Sequence, residues 1–253
     1  MKRKFLHLVL CLISFPGFGW GPTGHRVTGW VAEQYLNAKA RNKIKGILGQ
    51  ESLAMASTWM DEIRSDSTYN FTADWHWVTI PTGMTYEQAP KNPNGDVIMT
   101  LNRVIRELKS HQLTHDKEVE DLKILIHLVG DIHQPLHVGC CDDQGGNKVR
   151  VKWFHIDSNL HRVWDSDMID ETKLSFTELA QSLIKPDKTV FVNWQKSSVL
   201  EWVNESMTYR NQVYAIGEGT LGYKYSYKHF PIVRQRLIQA GIRLAGLLNQ
   251  IYG

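Results

Sequence analysis

The chain has 253 residues, 42% apolar and 22% charged, an ordinary balance for a folded protein able to bury a sizeable core. Its formal charge is +3, but Lys2, Arg3 and Lys4 precede an apolar run, Phe5 to Phe15, that is followed by the small-x-small triplet Gly17-Phe18-Gly19. Residues 1–19 therefore read as a cleaved signal peptide; the 29 Lys and Arg less those three equal the 26 Asp and Glu, so the mature chain is formally neutral and lacks a global basic footprint for nucleic acid.

No later stretch is long and apolar enough to span a bilayer, and no linker or repeat divides the chain. Residues 20–253 are thus expected to form one soluble domain, secreted or periplasmic, with no membrane attachment in its mature form. Beyond the leader only Cys140 and Cys141 remain. Adjacent Cα atoms lie about 3.8 Å apart, below the usual disulfide range. Two free or loosely paired loop thiols are expected, with a vicinal bridge or an extra metal ligand as alternatives.

Taken in order, a helical pattern opens at His25 and carries Val27, Trp30, Val31 and Tyr35 on one side. A second helix covers Ala38 to Leu48, and a third follows Ser52 as N-cap, with Leu53, Ala56 and Met60 on its apolar side and Asp61 and Arg64 on the next. Asp74 to Ile80 is aromatic and β-branched and reads as extended. Gly83 to Gly95 is a loop, and Asp96 to Ser110 an amphipathic helix. Lys148 to Phe154 alternates and predicts a small hairpin, and Asn159 to Asp170 is helical. Further helices are expected over Phe176 to Ile184, Ser197 to Ala215 and Tyr227 to Tyr252. The fold class is all-α, a single multi-helix domain with one or two short β-hairpins.

The stretch Leu122 to His137, LKILIHLVGDIHQPLH, is apolar on nearly every side, as a buried helix is. His127 and Asp131 are four apart in it and share a face. Bare imidazole and carboxylate are costly inside a protein unless paired or metal-bound. Pro135 breaks the helix and His137 follows at the bend, whereas His133 is rotated about 240° from His127 and points elsewhere. His111, His115, His155 and His229 read as surface or satisfied core residues. A second His-x3-Asp pair, His161 and Asp165, lies downstream, and His25, Asp61, His76 and the Trp20 terminus complete the candidate donors. Imidazole with carboxylate and no thiolate suits zinc in a catalytic site. The donors exceed the needs of one tetrahedral ion, and a cluster of two or three would create the local positive charge that attracts phosphate to a neutral protein.

WGPTGH from Trp20, ASTWMDEIR from Ala56, HLVGDIHQPLHVG from His127, GGN from Gly145, NLHRVWD from Asn159 and AGIRLAGLLN from Ala240 together resemble the zinc-dependent single-strand-specific nucleases, the S-one/P-one type of fungi with plant and bacterial relatives. The resemblance implies a trinuclear zinc cleft. Asp61, His76, His127 and Asp131 would hold a first zinc, His137, His161 and Asp165 a second, and the Trp20 amine and carbonyl, His25 and Asp131 a third. It implies hydrolysis of single-stranded DNA, RNA and 3′-nucleotides by hydroxide attack, leaving 5′-phosphates. Arg64 would stabilise transition-state charge, Trp77 would stack on a base, although by itself it reads as core packing, and Asn147 would contact the base. Thr79 stands where fungal members have an aspartate that orients the attacking water. The fungal disulfides are absent, and a monomer is expected. Two other readings are a zinc phospholipase C, opposed by the short gap from Trp20 to His25 and by Asp165 in place of Glu, and a non-catalytic zinc-binding protein, which needs neither Arg64 nor Trp77.

Overall fold

The computed structural model describes residues 19–253. Of the expected signal peptide, only Gly19 falls among the described residues.

The architecture is mostly helical. Helix α1 spans Pro22–Gln34, started by a proline that has no N–H to leave unpaired. Next come α2 (Ala38–Leu48), capped by the Asn37 side chain, and two short turns, α3 (Leu53–Ala56) and α4 (Trp59–Glu62). The Ser52 hydroxyl accepts from Met55 N at 3.1 Å, the expected N-cap. The 3₁₀ turns Ile63–Ser65 and Ser67–His76 follow. Here the sequence reading needs correction: Asp74 to His76 end a 3₁₀ segment, and only Val78–Thr79 (β1) is strand. Trp75 donates to the Asn94 carbonyl at 3.1 Å, so its aromatic character serves loop packing rather than a sheet.

Helix α5 (Val97–Ser110) is capped by Asp96 and lies against α6 (His115–Asp131). Helix α6 starts two turns earlier than its apolar run: residues 115–120 are mostly polar and exposed or half-buried, while from Asp121 onward all but Lys123 are buried. Six aliphatic side chains from Leu122 to Val129 are at most 1% exposed. At about 1.5–3 kcal/mol each, their burial offsets the desolvation of the polar groups set among them. The helix stops at Asp131, and Pro135 opens a 3₁₀ turn, Pro135–His137, that delivers His137. Strand β2 (Val138–Gly139) pairs in parallel with β1.

One hairpin, β3 (Arg150–Trp153) with antiparallel β4 (Ile156–Asn159), forms where the alternation predicts it. The expected helix from Asn159 to Asp170 is in three pieces: α7 (Leu160–Arg162), a π turn (Val163–Asp167) and α8 (Met168–Asp170). Helix α9 (Phe176–Gln181) ends before Ile184. Helix α10 (Lys188–Lys196), capped by Asp187, was not expected from its β-branched and aromatic run; it docks on the C-terminal helix. Ser197 to Ala215 divides into α11 (Val199–Thr208) and α12 (Arg210–Val213). Strand β5 (Thr220–Leu221) pairs in parallel with β3, and α13 (Tyr223–Tyr252) closes the chain. Helix α13 begins one turn before Tyr227 because Tyr225 is anchored there, its hydroxyl accepting from Trp164 Nε1 at 2.9 Å and donating to Val213 O at 2.7 Å.

The cysteine expectation is overturned: Cys140 and Cys141 are joined as a vicinal disulfide. Their Cα atoms are only 3.8 Å apart, but the bend after β2 turns both side chains together. Among the described residues no helix is long and apolar enough to cross a membrane.

Candidate metal centre

Helix α6 is the floor of the site. His127 and Asp131, one turn apart, are both fully buried. Around them the fold brings His25 from α1, Asp61 from α4 and His76 from the end of the long 3₁₀ segment. Gly130 makes room for this: a Cβ there would lie 2.8 Å from His25 Nδ1, and the His25 and His127 rings stack at 3.9 Å. A second group, His137, His161 and Asp165, is built from the Pro135–His137 turn, α7 and the π turn. The π turn keeps the i,i+4 pair together, with His161 Nε2 and Asp165 Oδ2 3.1 Å apart.

Backbone carbonyls decide the tautomers. His127 Nδ1 meets Ser57 O at 2.7 Å, His137 Nδ1 meets His76 O at 2.7 Å and His161 Nδ1 meets Gly145 O at 2.6 Å. A carbonyl only accepts, so each Nδ1 carries a proton, and in the neutral ring each Nε2 is left with its lone pair facing inward. His137 Nε2 and His161 Nε2 therefore direct lone pairs toward one another across 3.1 Å. His127 Nε2 and His76 Nδ1 are also 3.1 Å apart, and Asp131 Oδ2 is 2.9 Å from His76 Nδ1 and 3.2 Å from His127 Nε2. Around a tetrahedral ion bound at about 2.0–2.1 Å, neighbouring donors are separated by about 3.3 Å. Most pairs in both groups are near that spacing, while Asp61 Oδ1 stands 3.9 Å from His127 Nε2 and Asp165 Oδ1 3.9 Å from His137 Nε2. The other carboxylate oxygen, Asp131 Oδ1, faces His25 Nε2 at 3.2 Å and makes no hydrogen bond; Asp61 Oδ1 and Asp165 Oδ2 are buried in the same condition. One aspartate thus addresses two donor groups, one with each oxygen. Buried carboxylate oxygens without a hydrogen bond, set among imidazole nitrogens about 3 Å apart, are what a metal-ligand set presents, and the residues fit a cluster of divalent ions.

Burial alone would push His127 down, but the Asp131 and Asp61 carboxylates raise it to about 9. Burial pushes His137 down to about 3 against the opposing pull of Asp131. Burial likewise works against the charged form of Asp131, yet the neighbouring imidazoles His127 and His137 bring it well below the usual carboxylate range.

Trp20 is fully buried, and its neighbour Gly19 lies inside the cluster. The Gly19 N–H donates to His137 Nε2 at 2.7 Å, and a Cβ on Gly19 would collide with Asp131 and His25. Arg64 Nη1 stands 4.0 Å from Asp61 Oδ1, at the rim. Beside the centre is a cavity of about 650 Å³, and Trp77, Thr79, Asn147 and His161 are among the residues that line it. The vicinal disulfide forms part of the same wall. The structure therefore assembles the candidate donors and places the other candidate residues at the rim or in the adjoining cavity.

Two residues escaped the sequence reading. The buried Gln134 amide donates to Asp165 Oδ1 at 2.6 Å, while its carbonyl accepts from Leu136 N at 2.6 Å and so caps the turn that presents His137. A buried amide placed between two candidate ligands was the available signal. Arg210 donates to the carbonyls of Ile80, Val138 and Gly139 at 3.0, 2.8 and 2.8 Å, clamping β1 to β2 behind the cavity; nothing local in the sequence indicates it.

Residues 20–253 match the model of the family described as S1/P1 Nuclease. The chain is similar to Endonuclease 3 of Arabidopsis thaliana, 31% identical with 97% of this chain and 93% of the relative covered. It is similar to Nuclease P1 of Penicillium citrinum at 26% identity, covering 92% and 98%, and to Nuclease S1 of Aspergillus oryzae at 24%, covering 92% of each. Matched over its whole described fold, with the buried His and Asp groups of a metal-binding hydrolase, the chain belongs to the S1/P1 nuclease family.

Proposed function

We propose that the protein is an exported zinc-dependent phosphodiesterase that hydrolyses single-stranded DNA and RNA to 5′-phosphate products and also acts on 3′-nucleotides. The observation that carries this reading is Asp131, whose two oxygens address separate imidazole groups beside a cavity walled by Trp77 and Asn147. Asp61, His76, His127 and Asp131 would hold one zinc and His137, His161 and Asp165 a second. His25 and Asp131, with the Trp20 amine and carbonyl, would hold a third. Bound there, zinc would supply hydroxide near neutral pH and neutralise the phosphodiester charge.

The protein's own groups do the rest. Arg64 reaches the rim and presents a planar pair of donors to the phosphoryl oxygens. Trp77 offers a face to an unstacked base, which a duplex does not supply, and Asn147 hydrogen-bonds the base edge. Thr79 can hydrogen-bond the attacking water but cannot take its proton near neutral pH. Cleavage after Gly19 withdraws the peptide that lies against His137 and turns the Trp20 amide into an amine, a better ligand. The mature chain, residues 20–253, acts as a single-domain monomer outside the cytoplasm.

The test is cleavage of single-stranded against duplex DNA by protein beginning at Trp20, with zinc and with chelator. Zinc-dependent loss of the single strand with the duplex spared is the expected result. No cleavage by protein shown to contain zinc would overturn the reading, and hydrolysis of phosphatidylcholine by the same sample would replace it with a phospholipase.

A further inference from the structure

The cavity beside the metal centre has a charged side as well as an aromatic one. Lys148 and Arg150 line it together with Trp77 and Asn147. Arg150 opens β3, and the alternation of that strand turns Arg150 outward while Val151 points into the core. It is thus fixed by a strand with hydrogen-bonded neighbours on each side rather than by a loop. Lys148 is held by Asp142, Nζ to Oδ1 at 3.2 Å, but among the described residues no carboxylate lies within ion-pairing distance of Arg150. Facing it across the strand pair is Asn159, which is neutral. The nearby acid on the same sheet face, Asp157, is opposite Lys152. Arg150 therefore lines a cavity large enough for a nucleotide, in a mature chain that is formally neutral. Its position is three residues from Asn147, so their Cα atoms are at most about 10 Å apart, the scale of one nucleotide.

We propose that Arg150, assisted by Lys148, forms a second phosphate subsite that takes the 5′-phosphate of the nucleotide whose base enters the cavity and whose 3′-phosphate reaches the metal centre. The inference rests on the nuclease reading above and deepens it. A polymer or a nucleoside 3′,5′-bisphosphate has this second phosphate; a nucleoside 3′-phosphate does not. Arg150 would accordingly favour strands over mononucleotides without touching the reacting atoms. Its fork of donors suits a phosphate's paired oxygens better than a single ammonium does.

The test compares adenosine 3′,5′-bisphosphate with adenosine 3′-phosphate, in two assays on protein beginning at Trp20. The first is hydrolysis by the zinc-loaded protein. Arg150→Ala should lower kcat/KM for the bisphosphate roughly tenfold, mainly through KM, and leave the 3′-phosphate within about twofold; Arg150→Lys should recover part of the loss. The second is calorimetric binding of both nucleotides in chelator, where the bisphosphate should bind more tightly to wild type and lose that advantage in Arg150→Ala. Equal effects on the two nucleotides, or no effect on either, would overturn the subsite. If wild type hydrolyses neither nucleotide, the nuclease reading fails, and the chelator titration still decides whether Arg150 distinguishes a second phosphate.

Discussion

His127 and His133 lie six residues apart in one apolar stretch and are equally buried, yet they serve opposite kinds of polar interior. His133 belongs to a closed network. Its Nδ1 donates to Val129 O at 2.7 Å, so its Nε2 accepts from Arg243 Nη1 at 2.9 Å. Arg236 and Arg243 converge on Glu205 at 2.6–2.7 Å, and Arg236 also donates to His133 O, Trp202 O and Ser206 Oγ. Burial, with the two arginines beside it, pushes the His133 imidazole well below its usual range, which leaves it neutral and permanently an acceptor. Around His127, by contrast, imidazole nitrogens crowd one another at 3.1 Å and buried carboxylate oxygens lack hydrogen bonds. A complete set of donors and acceptors ties helices together. An excess of acceptors is arranged for a cation.

The largest expected break in this contrast is Asp131→Ala. It removes the carboxylate that faces His25 with one oxygen and His76 and His127 with the other, and should lower nuclease turnover by two to three orders of magnitude, with metal content falling in elemental analysis. Retention of full metal content would show that Asp131 is not a ligand.

The mirror experiment is Glu205→Ala, which strands two buried guanidinium groups. A fully buried pair broken this way costs about 3–5 kcal/mol. The Glu205 side chain is 37% exposed, so about 2–3 kcal/mol is expected. For a chain of this length that is a fall in Tm of roughly 5–10 °C, read by calorimetry, with metal content unchanged. Loss of zinc at temperatures where the variant is folded would mean the two interiors are not independent.

Gln134→Leu sharpens the comparison from within the metal centre. It keeps the volume but removes the donor to Asp165 and the cap of the His137 turn, so affinity for one ion should fall about 10–100-fold in competition with a chelating dye, the other ions being retained.

A pH titration separates the two histidines. Because His127 is raised to about 9, its charged form stabilises the metal-free fold fully below about pH 6.5, and that contribution is lost as pH rises toward 9. A metal ion bound through His127 would have to displace the same proton, so metal affinity should climb over this window with measurable proton release. His133 contributes nothing there, being neutral throughout. The metal-free protein should therefore lose Tm between pH 6.5 and 9 while zinc-loaded protein does not. A flat metal-free profile would argue against the charged His127. The smallest effect is expected from Thr79→Asp: a shift in the pH profile of turnover with metal content intact, and an unchanged profile would remove Thr79 from the reaction.

Much of this was legible in the chain. The nearly continuous apolar surface of Leu122 to Val129 announces a buried helix, and the four-residue interval places His127 and Asp131 on one face, because helix geometry is local. The alternation of Lys148 to Phe154 gives the hairpin for the same reason. The six-residue interval from His127 likewise turns His133 away, though not toward any named partner. Local periodicity could not indicate the π turn that keeps Asp165 beside His161, since a π turn is stabilised by what packs around it. Nor could it reveal that Asp74 to His76 coil into a 3₁₀ segment, that Gln134 hands a hydrogen bond to Asp165 thirty-one residues away, or that Arg210 fastens strands more than seventy residues distant. Spacing along the sequence fixes which side of a helix a group occupies. Which carbonyl sets a tautomer, which oxygen faces which imidazole and whether Cys140 meets Cys141 are decided only when separate segments are packed together, because those contacts depend on positions in space that the local pattern does not contain.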